Sequence, residues 1–218
     1  GGAGAVRAAL VVARKLEERQ AATPYLDALE AEALLAQREP ASALQLATAA
    51  LEGLPAAEIL LRARVAALAA HAAWQLGDRP AALGWFEQVM HGDPGMLRQL
   101  DIPLPVQLRD DGSALGRQVA RRLRSSPRLL LAAEGFTLQA GAAQVCLSTP
   151  SGTVLGCARP AEGDGRAPEQ AKLDPAEAAA LAFHDQLFAP SLDLTQIDIR
   201  SLEGSSVSGG KGSGALKG

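Results

Sequence analysis

Residues 72–94 read AAWQLGDRPAALGWFEQVMHGDP, and this stretch decides the fold. Gly77-Asp78 is a turn signal, because glycine adopts backbone angles that side-chain residues resist. Pro80 follows at the start of the next helix, where a missing N–H costs nothing. Ala82 is small and lets two helices approach closely. Phe86 and Val89 continue the same face at helical spacing. Asp93-Pro94 ends the helix, since the residue before a proline is driven out of the helical region. The stretch is the turn and second helix of a helical hairpin.

The order is a small residue, an aromatic four later, an apolar residue three later and a proline five later. It resembles the second half of a tetratricopeptide repeat. Gly77, Ala82, Phe86, Val89 and Pro94 match that family's turn, small, aromatic, small-or-apolar and terminal-proline positions. The first half departs from it: Ala66, Ala69 and Ala70 supply small packing residues, but the large residue early in the helix is missing. A second copy lies upstream, where Arg38-Glu39-Pro40 occupies the turn and Ala43, Ala47, Ala50 and Pro55 recur at the same offsets. The turns are 39 residues apart, against about 34 in the family, which implies a longer first helix in the second repeat. A generic antiparallel helix pair is the competing reading.

Outward from this core, a chain of 218 residues suits one or two domains. A net charge of −3 gives no global reason to expect nucleic acid or an acidic surface as partner. Asparagine is absent and arginine outnumbers lysine, the bias of a GC-rich bacterial genome. The opening Gly1-Gly2-Ala3-Gly4 without methionine suggests a processed or truncated product. The apolar run Ala5–Ala13 is too short for a membrane span, is broken by Arg7, and has no signal-type cleavage site after it. It is expected to belong to an amphipathic helix over Ala5–Gln20. Further helices are expected from Thr23-Pro24, with Thr23 as cap and Tyr25, Leu26, Leu29 and Ala33 as apolar face; over Pro40–Gly53; and over Ala56–Leu76, with Ile59, Leu60, Val65, Leu68 and Trp74.

From Asp101 the pattern changes to α/β. Residues 103–108, PLPVQL, alternate after their prolines and read as an edge or first strand. Asp110-Asp111-Gly112-Ser113 is a turn that caps a helix over Ala114–Arg124, which buries Leu115, Val119 and Leu123. Ser126-Pro127 stops it. Leu129–Leu131 and Phe136–Gln139 are short strands. Val145–Leu147 and Val154–Cys157 flank the turn Thr149-Pro150-Ser151-Gly152 and form a hairpin. Residues 161–172 read as a loop. Asp174-Pro175-Ala176-Glu177 is a capping box opening a helix to about Phe188, with Leu181, His184, Leu187 and Phe188 on one face. Ile197–Ile199 alternates as a last strand, and from Gly204 the chain is Gly/Ser-rich. The expected organisation is α + α/β: repeat-like helical hairpins over 1–100, a small α/β domain with a β-hairpin over 101–203, and a flexible tail over 204–218.

The order of elements over residues 102–203, with an apolar strand, Pro150-Ser151-Gly152 and a second apolar strand, resembles the small α/β modules of the TolB amino-terminal and CsgG-like cell-envelope families. The resemblance implies a periplasmic or outer-membrane-associated accessory protein. The pore-forming hairpins of CsgG are not present, so channel activity does not carry over.

Catalytic signatures are weak. His71, His91 and His184 are scattered, with no i, i+4 pair and no nearby cysteine, which argues against a metal. Ser151-Gly152 lacks the flanking pattern of a nucleophile elbow. The loop Glu162–Arg166 lacks the P-loop lysine. Asp110 and Asp111 can pair with Arg109 or cap the helix. No cofactor is expected. The surface signal is basic: Arg117, Arg121, Arg122, Arg124 and Arg128, with Arg117, Arg121 and Arg124 on one side of the helix at i, i+4, i+7. This stripe is either a solvated face or a site for phosphates, anionic lipid or an acidic partner. Scarce aromatics in this half of the chain argue against single-stranded nucleic acid, and no nucleic-acid partner is expected.

Cys146 and Cys157 are the only two cysteines. A two-residue turn at Ser151-Gly152 sets them directly opposite each other. A cross-strand disulfide then forms if the pair is non-hydrogen-bonded; a four-residue turn with a bulge would separate the sulfurs. The alternative is two free thiols packed as small apolar groups. A bridge favours a periplasm or the cell exterior over a reducing cytosol. The expected function is a non-catalytic scaffold holding protein partners in a bacterial envelope assembly. The alternatives are a ligand-binding or enzymatic α/β domain with a helical accessory region, and a cytoplasmic location.

Overall fold

A computed structural model describes residues 23–159 and 173–189. The helix expected at 5–20, the loop 161–172, the strand at Ile197–Ile199 and the tail from Gly204 lie outside the described residues. The chain is a helical N-terminal region followed by a small α/β domain with a β-hairpin. The helices are α1 (Thr23–Ala36), α2 (Pro40–Gly53), α3 (Ile59–Leu76), α4 (Arg79–Gly92) and the short α5 (Gly95–Gln99). The last of these was not expected. It forms because Asp93 Oδ1 accepts the Gly95 N–H at 2.9 Å and restarts a helix just past the Asp93-Pro94 break.

Two antiparallel hairpins, α1–α2 and α3–α4, are closed by different chemistry. Gly77 ends α3 in the left-handed conformation at φ 84°, and the Asp78 side chain caps α4 by accepting the Ala81 N–H. The first turn has no glycine, and Arg38 itself takes the left-handed conformation at φ 64°. The Arg79 guanidinium stacks 3.7 Å from the Trp74 ring and donates to the Trp74 carbonyl, sealing the second turn. Arg62 donates to the Leu51 and Leu54 carbonyls and so satisfies the end of α2.

Alanine governs the packing. Ala63, the whole run Val65–Ala70, Ala72 and Ala73 of α3 are buried, which leaves Arg64 and His71 as its outward positions between them. A helix this slender admits α1, α2, α4 and α5 as neighbours. The same rule corrects α1. Its buried face is Ala28, Ala31, Ala33 and Leu34, whereas Tyr25 and Leu29, expected inside, are 40% and 53% exposed. Close approach through alanine leaves no room for the larger groups, so they turn outward. Thr23 is itself helical, within α1, rather than its cap. α3 begins at Ile59, not Ala56, and Ile59 is exposed.

The sheet has the order β2-β1-β3-β4-β5, with β1 (Leu104–Asp110), β2 (Leu129–Leu131), β3 (Phe136–Ala140), β4 (Val145–Ser148) and β5 (Val154–Ala158). β1 is parallel to both neighbours; β4 and β5 are antiparallel additions. β1 is therefore interior, not an edge, despite its proline. β2 pairs with Leu104–Val106 and β3 only from Val106 onward, so Pro105 faces a single partner strand. Between them the chain crosses β1, and a Cβ at Gly135 would lie 2.6 Å from the Pro105 carbonyl oxygen. α6 (Ala114–Arg124) links β1 to β2, and α7 (Pro175–Leu187) packs beside α6 and on β5. They cover the face carrying Phe136, Leu138, Ala140, Val145, Leu147 and Ala158, all buried. The buried stripe of α7 is Ala176, Ala179 and Phe183, followed by Phe188; Leu181, expected inside, is 38% exposed.

The hairpin register explains the cysteines. Ser148 pairs with Val154, and Thr149 bonds Thr153, so the turn has three residues, 150–152, rather than two. Leu155 is an extra residue, and past it Leu147 pairs with Gly156 and Cys146 with Cys157. The bulge absorbs the odd residue of the turn and restores the expected opposition. Cys146 and Cys157 form a disulfide with Cα atoms 4.1 Å apart, the close spacing of a non-hydrogen-bonded pair.

Candidate interaction surfaces

Among the repeat-position residues, Ala82, Phe86 and Val89 are at most 1% exposed, and Ala43, Ala47 and Ala50 of the upstream copy are fully buried. Pro94 is half-buried at the α4–α5 break and Pro55 is exposed. These residues build the scaffold and leave a surface between α3 and α4. There an open cleft of about 300 Å³ is lined by the buried Ala63 and Ala66 and the exposed Ile59, with the polar Arg62, Gln88 and His91 beside them on its rim. His91 lies 3.7 Å from Glu87 on the rim. Away from the cleft lining, Arg64 grips Glu32 through both carboxylate oxygens, at 2.7 and 2.9 Å, and ties α3 to α1.

α6 owes its position to its ends and its stripe. The Ser113 hydroxyl caps it by accepting the Gly116 N–H at 2.8 Å. Asp111 in turn accepts the Ser113 hydroxyl and N–H and, through its other oxygen, the Ala142 N–H. These bonds, the Ser113 hydroxyl first, hold the Asp111 carboxyl below the usual range. Asp110 accepts the Gly112 N–H. Both aspartates are thus committed to holding the loop and not to Arg109, which bonds Gln107. Val119, Ala120 and Leu123 are buried against the sheet, and the remaining face is basic.

The five arginines of that region do different things. Arg117 donates to the Gly112 carbonyl at the start of the helix. Arg122 bonds Asp174 at 2.7 Å and links α6 to the start of α7. Asp174 also caps α7 by accepting the Glu177 N–H at 2.8 Å; that bond first, then Arg122, holds its carboxyl pKa below the ordinary carboxylate value. Arg128 is half-buried beyond the helix, and desolvation lowers its pKa. Arg121 and Arg124 are exposed and make no ion pair with any described residue. Arg121 and Arg122 line a cleft of about 510 Å³ between α6 and α7, with Gln118, Ser125, Asp174 and Ala176. Of the predicted stripe, only Arg121 enters this cleft. The Asp174–Arg122 link was not foreseen, although the capping box that supplies Asp174 was visible in the sequence.

The histidines stand apart from one another. His71 contacts Gln75 at 2.7 Å, and burial lowers its pKa. His184 packs edge-on to Phe183, 5.2 Å between centroids, and its Nδ1 has no hydrogen-bond partner among the described residues. Burial foremost, and Arg128 next, push its pKa down to about 4, so the ring is neutral at pH 7. No group of three His, Cys, Asp or Glu able to hold a metal occurs among the described residues. No helix there is long and apolar enough to cross a membrane. Comparison with protein-family models, curated proteins and solved structures gave no match in any of the three.

Proposed function

We propose that the chain is a non-catalytic scaffold of tetratricopeptide-like hairpins and an envelope-type α/β module, which holds protein partners in a bacterial cell-envelope assembly. The observation that carries this reading is the α3–α4 cleft, open to solvent, where Ile59, Ala63 and Ala66 make an apolar lining beside polar Arg62, Gln88 and His91. An exposed isoleucine over alanines is a seat for an apolar side chain of a partner helix, whereas a substrate pocket encloses its ligand and converges polar groups on it. The Cys146–Cys157 bridge supports an oxidising compartment. The parallel β2-β1-β3 unit extended by a hairpin is consistent with the TolB amino-terminal and CsgG-like resemblance.

The test is photo-crosslinking in the native cell from a benzoyl-phenylalanine at position 88 on the rim. The expected result is a discrete crosslinked protein, lost when Ile59 is changed to Lys, with the chain recovered from the periplasmic fraction as the disulfide. A chain that crosslinks to nothing from the rim and is recovered from the cytosol with free thiols would sink the proposal.

A further inference from the structure

The charge on this molecule is unevenly spread. The whole chain is net acidic, yet α6 carries Arg117, Arg121, Arg122 and Arg124 and no acidic residue. Two of these charges are already engaged, Arg117 by the Gly112 carbonyl and Arg122 by Asp174. The other two, Arg121 and Arg124, are exposed, three residues apart on one helix and without an ion pair among the described residues. Side chains three residues apart on a helix have Cβ atoms about 5–6 Å apart, the same spacing as two acidic side chains three or four residues apart on a facing helix. Beside Arg121 lies the cleft of about 510 Å³ with Gln118 and Ser125 on its wall.

We propose that the exposed basic face of α6 and the cleft it shares with α7 dock an acidic helical segment of a partner protein, whose carboxylates pair with Arg121 and Arg124. Charge complementarity selects the occupant, and the surroundings select among anions. The aromatic residues described after residue 100, Phe136, Phe183 and Phe188, are all buried, so no ring is offered for base stacking. The apolar stripe of α6, Val119 and Leu123, faces the sheet and has nothing to insert into a bilayer. On the α7 side Asp174 and Glu177 are exposed. Asp174 lines the same cleft as Arg121, so a continuous polyphosphate or anionic lipid surface laid across both helices meets like charge, whereas discrete carboxylates can be placed at Arg121 and Arg124 alone. Guanidinium binds carboxylate through short, directional charge-assisted hydrogen bonds, and one such bond, from Arg122 to Asp174, is already made in this cleft. The inference deepens the scaffold reading, on which it rests, but uses a surface separate from the α3–α4 cleft.

The test uses the full chain and three probes: an alanine-rich helical peptide with repeated Glu at i, i+3, the same peptide with Gln for Glu, and phosphatidylglycerol vesicles. Fluorescence anisotropy and vesicle co-sedimentation read the binding. The expected result is binding of the Glu peptide alone, weakened by salt and reduced at least tenfold by Arg121→Glu with Arg124→Glu. Ile59→Lys should leave that binding unchanged, which separates this site from the helical cleft. Both arginines are solvent-exposed, and circular dichroism checks that the double variant keeps its fold. Equal binding of the Glu and Gln peptides, binding of the vesicles instead, or an unchanged Glu-peptide affinity in the double variant would each overturn the proposal.

Discussion

Removing the Cys146–Cys157 bridge by a double substitution to alanine should destabilise the protein by an amount set by the loop it closes. The sequence separation is 11. In the chain-entropy picture a closed loop of about 12 residues restricts the unfolded chain by about 3 kcal/mol at 25 °C. Lost side-chain packing adds little, because Cys157 is exposed and Cys146 only half-buried. For a chain of this size about 3 kcal/mol lowers Tm by about 6–12 °C. The native consequence is local. β5 pairs on one side with β4 and contains the bulge at Leu155; the Gln186 amide bonds the Arg159 carbonyl just past its end. Once uncoupled from Cys146, the amides of Val154–Ala158 should exchange faster than those of β3. The assays are thermal melts of the oxidised chain, the reduced chain and the double variant, with hydrogen exchange on each. A double variant within about 1 kcal/mol of the oxidised protein, with β5 amides equally protected, would refute both the loop argument and the role assigned to the bridge.

Phe86→Ala should cost about 3–5 kcal/mol in a denaturant melt, because Phe86 is 1% exposed between the two hairpin helices; a loss under about 1 kcal/mol would remove the repeat position it defines. Gly135→Ala should lose about 1–3 kcal/mol, since its Cβ would meet Pro105 backbone at the crossing of β1; an unchanged melt would contradict the crossing. Acid should weaken the fold in two windows. With His184 held at about 4, below the ordinary imidazole value, protonation favours the unfolded chain. Its contribution is therefore complete above about pH 6.5 and falls away between there and about pH 4. It is worth about 1–2 kcal/mol after allowance for partial exposure, and His184→Gln should flatten that part of the stability curve. The lowered carboxyls of Asp111 and Asp174 act separately, with stability present above the ordinary carboxylate value and lost as the pH falls below it.

The helical half was legible where the signals were local. Gly77, Asp78 and Pro80 announce a turn because backbone angle and missing N–H are properties of single residues; the structure turns at Gly77 as read and adds an unforeseen side-chain cap from Asp78. The inward face of α1 was misread because size was taken as a guide to burial. In a layer this rich in alanine, interhelical distance is set by the smallest residues, so Tyr25 and Leu29 are excluded from an interface that Ala28 and Ala31 fill. The same substitution of rules hid Phe183. The periodicity of α7 admits two stripes, and only its contacts with α6 and β5 select the one containing Ala176, Ala179 and Phe183.

The sheet shows why a correct pairing can follow from an incorrect turn. Opposition of Cys146 and Cys157 requires only that the residues between them divide symmetrically about the hairpin axis, after any bulge is discounted. A two-residue turn with no bulge and a three-residue turn with Leu155 extruded meet that condition equally. Strand order carries no such redundancy. Pro105 argues for an edge whenever a strand has two partners along its whole length, but β2 and β3 each pair with part of β1, and nothing local in the sequence encodes that division. The candidate site divides the same way. The basic stripe of α6 follows from helical periodicity, whereas which of its arginines remain free depends on Asp174, fifty-two residues from Arg122 in sequence and 2.7 Å from it in space. That contact engages Arg122, the Gly112 carbonyl engages Arg117, and the specificity proposed for the α6 surface derives from the two arginines that remain, Arg121 and Arg124.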